Sequence, residues 1–183
     1  MQSLLHHLRQ ATAPSHDSLD AAFGSLDLKT RDGYARFLSG HAIGLAPLFD
    51  SFHSFVTRDL SMNCPDYRAM LHADLAALGI DADSLPELAK DTALSPRSSG
   101  YVIAGSRLGL TTLRRNGYWG QSQALPSSYM EDDSGLAIWK ETAIRFKAIE
   151  PDADEAARES AGAVAAFDTF RAAFVASAPE AVR

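Results

Sequence analysis

Apolar residues recur every three to four positions along nearly the whole chain, the spacing of helix faces turned to a core. Leu4, Leu5, Leu8, Ala11, Ser15 and Leu19 form the first such stripe. Pro14 interrupts it, removes a hydrogen bond to Gln10 and predicts a bend just before His16. A second stripe follows Thr30, a residue suited to cap a helix N-terminus. It runs through Tyr34, Phe37, Leu38, His41, Leu45, Leu48, Phe49 and Phe52, with a further bend at Pro47. Cys64-Pro65 opens a third segment, with Tyr67, Leu71, Leu75 and Leu78 inward and Gly79 as its stop. Residues 80–95 read as a loop with one turn near Pro86-Glu87-Leu88.

Ser95-Pro96 then supplies an N-cap and a first-turn proline. The helix they start should run to about Arg115, ahead of Asn116-Gly117. Residues 116–133 are polar and turn-rich. A fifth helix is expected from Ser134, with Leu136, Trp139, Ala143 and Phe146 inward. The last starts with Pro151 as its first residue and turns Ala157, Ala161, Val164, Phe167, Phe170 and Phe174 inward. Strand-type alternation and long repeats are absent. The expectation is an all-α, single-domain, multi-helix bundle over residues 1–183.

Charge and cysteine content narrow the setting. Lys and Arg number 17 against 23 Asp and Glu, a net charge of −6, which argues against non-specific nucleic-acid binding. An anionic ligand would need a local basic patch. Cys64 is the single cysteine, so no internal disulfide can form, which suits a reducing cytoplasm. The N-terminus MQSLLHHLRQ has no apolar leader core, and no run approaches the ~18 apolar residues of a membrane span. A cytoplasmic protein that engages neither membrane nor nucleic acid is expected.

Candidate chemistry starts from two glycines. Gly105 and Gly109 lie one turn apart, on one face of an expected helix. Each costs up to about 1 kcal/mol relative to alanine in a helix interior. They provide either close helix–helix packing or bare backbone for a large flat ligand. Six histidines are present, of which His6 and His7 read as solvated and His41 as a hydrogen-bonded core residue. His53 follows Asp50 at helical spacing, but the chain has no Glu-x-x-His and only seven glutamates, which rejects a di-iron carboxylate bundle. Paired His/Cys spacing for zinc is missing too. Gly105-Ser106 lacks the Gly-x-Ser-x-Gly frame of a nucleophile elbow, and Cys64 has no base nearby in sequence.

The segment LRQATAPSHDSLD resembles the proximal helix of haem oxygenases, in which an apolar–basic–x–x–Thr pattern precedes the histidine that ligates haem iron. The match falls on Leu8, Arg9, Thr12 and His16. The segment YVIAGSRLG resembles that family's distal helix. Bacterial forms, including those associated with bacteriophytochromes, show a Gly-Ser-x-Leu-Gly core, matched here by Gly105, Ser106, Leu108 and Gly109. Two departures stand out: Ala104 where bacterial members often carry glutamate, and Leu110 where a further small residue is common.

The resemblance implies oxidative cleavage of haem to biliverdin, iron and carbon monoxide. Haem would be both substrate and cofactor, with O2 and electrons from a separate ferredoxin or reductase and a bacteriophytochrome as a candidate bilin acceptor. His16 would hold the iron and leave the opposite side free for oxygen. Gly105 and Gly109 would admit oxygen beside the ring. Arg9 would meet a haem propionate, or be a solvated surface residue; Lys140 and Arg145 are further propionate candidates. Phe167 and Phe174 would line the distal side, or be ordinary core. Two other readings compete: a haem carrier or sensor without turnover, and a non-haem helical enzyme resembling thiaminase-type proteins, which needs a catalytic cysteine.

Overall fold

Ser3 accepts a hydrogen bond from the His6 N–H and starts helix α1 (Leu4–Gly24). The computed structural model describes residues 2–90 and 94–179. α1 continues through Pro14, because Pro14 and Gln10 both face solvent and water can satisfy the carbonyl that proline leaves free. Thr30 caps α2 (Arg31–Leu45) by accepting from the Gly33 N–H at 3.1 Å. At Ala46–Leu48 the regular helix is interrupted around Pro47, and the expected second helix becomes two. The second piece, α3 (Phe49–Ser54), runs on into a π-helical turn at Phe55–Asp59.

Helix α4 (Tyr67–Ala77) starts one cap later than Cys64-Pro65 suggested, because Asp66 accepts from the Ala69 N–H at 3.0 Å. Gly79, at φ 74°, takes the left-handed conformation just past its end. The single turn of the following loop lies at Ala82–Ser84 rather than at Pro86, since the Asp81 carboxylate accepts from the Asp83 N–H. Residues 91–93 of that loop lie outside the described residues.

Ser95 and Pro96 start α5 (Pro96–Asn116), and Gly117 ends it with φ 80°. The connection after it is partly helical, with short turns α6 (Trp119–Ser122) and α7 (Ser128–Glu131). Helix α8 (Ser134–Ala148) follows, then α9 (Ala153–Ala176), capped by Asp152. Pro151 therefore precedes the cap instead of opening the helix.

Two helix faces differ from expectation. α8 buries Gly135, Ile138, Thr142 and Phe146, leaving Leu136, Trp139 and Ala143 at the flank. α9 buries Ala156, Glu159, Ala163, Ala166, Phe167, Phe170 and Ala173, while Ala157 and Ala161 face solvent. α9 is the axis of the bundle, in contact with α1, α2 and α5. Its fully buried alanines let those neighbours approach closely. Around it Leu4, Leu8, Phe37, Leu38, Phe52, Phe55, Tyr67 and Phe146 are at most 1% exposed. Burial of each such apolar side chain stabilises the fold by about 1.5–3 kcal/mol. The described residues form an all-α bundle with no strand, and no helix among them is long and apolar enough to cross a membrane.

Candidate functional site

Helices α1, α5 and α9 bound a cavity of about 620 Å³, within the range of small-molecule sites. α1 contributes Arg9, Thr12 and His16; α5 contributes Tyr101 and the stretch from Gly105 to Leu110 apart from Arg107; α9 contributes Phe167 and Phe170. Burial orients it. Arg9, His16, Leu108 and Gly109 are exposed and mark an outer mouth, whereas Phe23, Phe37, His41 and Leu110 are buried and mark an inner end.

His16 stands at the mouth with Nδ1 3.2 Å from Oδ2 of Asp20, one turn further along α1. That contact takes one ring nitrogen and leaves Nε2 for a ligand. The Phe167 ring packs edge-on against His16 at 5.9 Å between centroids, so Phe167 lines the cavity beside the histidine and buttresses it. Thr12 is buried; its Oγ1 lies 2.8 Å from the Leu8 carbonyl oxygen and 3.3 Å from the Tyr101 hydroxyl, which ties α1 to α5. Arg9 lies at the rim, exposed, and none of the described residues pairs with it.

The two glycines of α5 divide by function. A Cβ on Gly105 would come within 3.3 Å of the Trp139 ring, so Gly105 makes room for a side chain of the protein itself. A Cβ on Gly109 would meet no protein atom within 4 Å. Packing accounts for the first glycine, while the second is bare toward open space at the cavity mouth. Ser106 donates its hydroxyl proton to the Ile103 carbonyl at 2.8 Å. Leu108 is 49% exposed, a large apolar side chain on the rim. Ala104 faces the core, and Leu110 forms part of the cavity wall.

Three expected contributors lie elsewhere. Phe174 is off the cavity, packed on Phe23 at 5.1 Å with the Arg36 guanidinium 4.3 Å over its ring. Arg145 is engaged by Glu141 and by the carbonyls of Asp59 and Leu60. Lys140 is exposed and does not line the cavity. Cys64 is half-buried, and burial, helped by Asp66, pushes its thiol up to about 11, which makes it a poor nucleophile. No group of three or more His, Cys, Asp or Glu side chains is placed to hold a metal ion among the described residues.

Sequence reasoning gave no role to Asp20 and Tyr101, which line the cavity, or to Arg107, which lies behind its wall. Asp20 carried a signal, its spacing of four from His16. Tyr101 on α5 and Trp139 on α8 both line the cavity, with their rings 5.9 Å apart. Arg107 is 2% exposed, points away from the cavity and donates to the carbonyls of Tyr129 at 2.7 Å and Asp132 at 2.9 Å. Its guanidinium also lies over the Tyr67 and Tyr129 rings, and Nε and one terminal nitrogen have no described partner. Burial raises the Asp132 carboxyl, but bonds from Ser134 and the Gly135 N–H, with the Arg107 charge, hold it below the usual carboxylate range. This pair fixes α7 against α5 behind the cavity wall.

No family model matches the chain, and no curated protein matches it at a significant level.

Proposed function

We propose that the chain is a haem oxygenase, which binds haem in this cavity and cleaves it to biliverdin, iron and carbon monoxide. The observation that carries the reading is the pairing of His16, held at the mouth by Asp20, with the bare backbone of Gly109 on the α5 wall. The residues present fit the group. The cavity has the volume and mostly apolar lining for a flat macrocycle, one imidazole nitrogen is left for iron, and Arg9, which pairs with none of the described residues, stands at the rim for a carboxylate.

Bound haem supplies the redox-active iron and is also the carbon skeleton that is cut. The protein's part is placement and exclusion of water. His16 would hold the iron from α1, with Asp20 and Phe167 keeping the imidazole in orientation. Arg9 anchors a propionate at the mouth. Gly109 would leave α5 without a side chain at the cavity mouth, where a larger residue would hinder oxygen. Phe23, Phe37, Leu110 and Phe170 line the inner end with apolar surface. Electrons come from a separate ferredoxin or reductase in a reducing cytoplasm, and a bacteriophytochrome is a candidate recipient of the bilin.

One observation favours a second reading, a haem carrier or sensor without turnover. Ser106 turns its proton back to its own helix and Leu110 occupies the wall, so α5 offers oxygen little beyond bare backbone. Haemin titration followed by a single-turnover reaction with ascorbate or a reductase decides between them. The oxygenase gives a Soret band altered in His16→Ala, and a bilin product. A Soret band without bilin identifies a carrier, and a spectrum indifferent to His16→Ala removes the iron-ligand assignment.

A further inference from the structure

His41 is a buried polar side chain at the inner end of the cavity. The side chain is 8% exposed and lines the cavity wall at the end away from His16. Its Nδ1 lies 2.8 Å from the Phe37 carbonyl oxygen. A carbonyl can only accept, so Nδ1 carries the proton and the neutral ring has a bare lone pair on Nε2. Nε2 receives no hydrogen bond from any described residue, and His41 is one of the residues that line the cavity.

The ring is held in that pose from three sides. Its centroid is 4.6 Å from Phe23, 4.2 Å from Phe37 and 5.7 Å from Tyr129. Burial, with the Arg107 charge nearby, lowers its pKa to about 4 despite the bond to Phe37, so the lone pair stays free at neutral pH. Phe23 is seven residues beyond His16 on α1, a rise of about 10 Å. The two imidazoles therefore serve opposite ends of one cavity and not one atom.

We propose that His41 Nε2 is an acceptor subsite for a hydrogen-bond donor, an O–H or N–H, at the inner end of this cavity. A polar acceptor in an apolar enclosure is costly unless a donor meets it. That donor is either a substituent on the inner edge of a bound ligand or a water molecule. The subsite selects between flat ligands of similar shape by whether the inner edge carries a donor, and it stands whether or not the ligand is haem.

The test uses the ligand-free protein, ¹⁵N-labelled at histidine, with p-cresol and p-xylene as probes that differ by one hydroxyl in place of a methyl. At pH 7 the His41 signals should report a protonated Nδ1 and an unprotonated Nε2. Binding of p-cresol should shift Nε2, and its preference over p-xylene should be about five- to tenfold larger in the wild type than in His41→Phe. No such preference, with a nuclear Overhauser contact from water to the His41 ring proton beside Nε2, assigns the donor to water. A protonated Nε2, or an Nε2 signal insensitive to p-cresol with no such water contact, overturns the proposal. The wild-type spectrum alone separates these outcomes even if His41→Phe folds poorly. Loss of haem binding would leave the subsite standing.

Discussion

His16 and Asp20 stand one turn apart on α1, with Nδ1 of the ring 3.2 Å from Oδ2 of the carboxylate. The contact fixes which nitrogen faces outward at the cavity mouth, and it uses only local helix geometry. If His16 holds haem iron, Asp20→Asn should weaken haemin binding by about tenfold and shift the Soret band, whereas His16→Ala should abolish the axial ligand. Absorbance titration checks both. Equal spectra for wild type and Asp20→Asn would show that the carboxylate plays no part.

The Thr12–Tyr101 bond makes a separate expectation about rigidity. It joins, side chain to side chain, the two helices that carry His16 and the glycines. Tyr101→Phe removes the hydroxyl while keeping the ring against Trp139. It should cost about 1 kcal/mol. Thr12→Val should cost somewhat more, since the bond to Leu8 goes too. A double-mutant cycle on urea unfolding should return a coupling of about 0.5–1 kcal/mol. Additive losses would mean the two helices are held by packing alone.

Much of this arrangement is legible in the chain. Thr30 and Ser95 cap where the sequence places them, and the stripe of Tyr67, Leu71, Leu75 and Leu78 is buried as spaced. The α9 face escapes a reading of periodicity because alanines dominate its first half. Ala156, Ala157, Ala161 and Ala163 differ little in hydropathy, so the periodic signal is weak there. The choice falls to Glu159, which is buried because Ser95 and Ser98 at the start of α5 donate to its carboxylate. Such a bond between residues distant in sequence leaves no local pattern. His41 shows the same limit: its place on an apolar stripe is readable, but that the stripe borders a cavity depends on how α1, α5 and α9 meet.

The titration of His41 gives a pH dependence with a definite sign. Its folded pKa, about 4, lies below the ordinary 6.5. Above 6.5 the ring is neutral in both states and no penalty arises. Between 6.5 and about 4 the unfolded chain takes up a proton that the folded chain refuses, so stability falls as pH falls. The full loss is about 3 kcal/mol and levels off below pH 4. Urea unfolding at pH 7, 5.5 and 4.5 should show His41→Phe losing less stability than the wild type over that span. Parallel curves would mean His41 titrates normally.

Arg107 supplies a stability test away from the cavity. Its guanidinium is buried against Asp132 Oδ2 at 3.6 Å, between two tyrosine rings. Arg107→Met leaves the Asp132 carboxylate without its cation and should cost about 3–5 kcal/mol. Arg107→Met combined with Asp132→Asn should recover part of that loss, because no unpaired charge remains. Urea midpoints of the three variants decide it. A double variant no better than Arg107→Met would place the cost in the lost bonds to the Tyr129 and Asp132 carbonyls.

The sharpest contrast lies within one turn of α5. Gly105 and Gly109 share a face, yet only Gly105 has a protein neighbour where its side chain would be. Gly105→Leu drives carbon atoms into the Trp139 ring, so the ligand-free protein should lose about 1–3 kcal/mol. Gly109→Leu meets no such obstacle and removes a glycine from a helix interior. The ligand-free protein should keep or gain stability, by up to about 1 kcal/mol. Its added side chain nonetheless fills the space beside the proposed haem. Thermal unfolding without ligand, paired with haemin titration and single turnover, should therefore separate the two: Gly105→Leu less stable, Gly109→Leu stable but impaired in oxygen chemistry more than in haem retention. Normal turnover by Gly109→Leu would leave the bare backbone at the mouth without a role in the reaction.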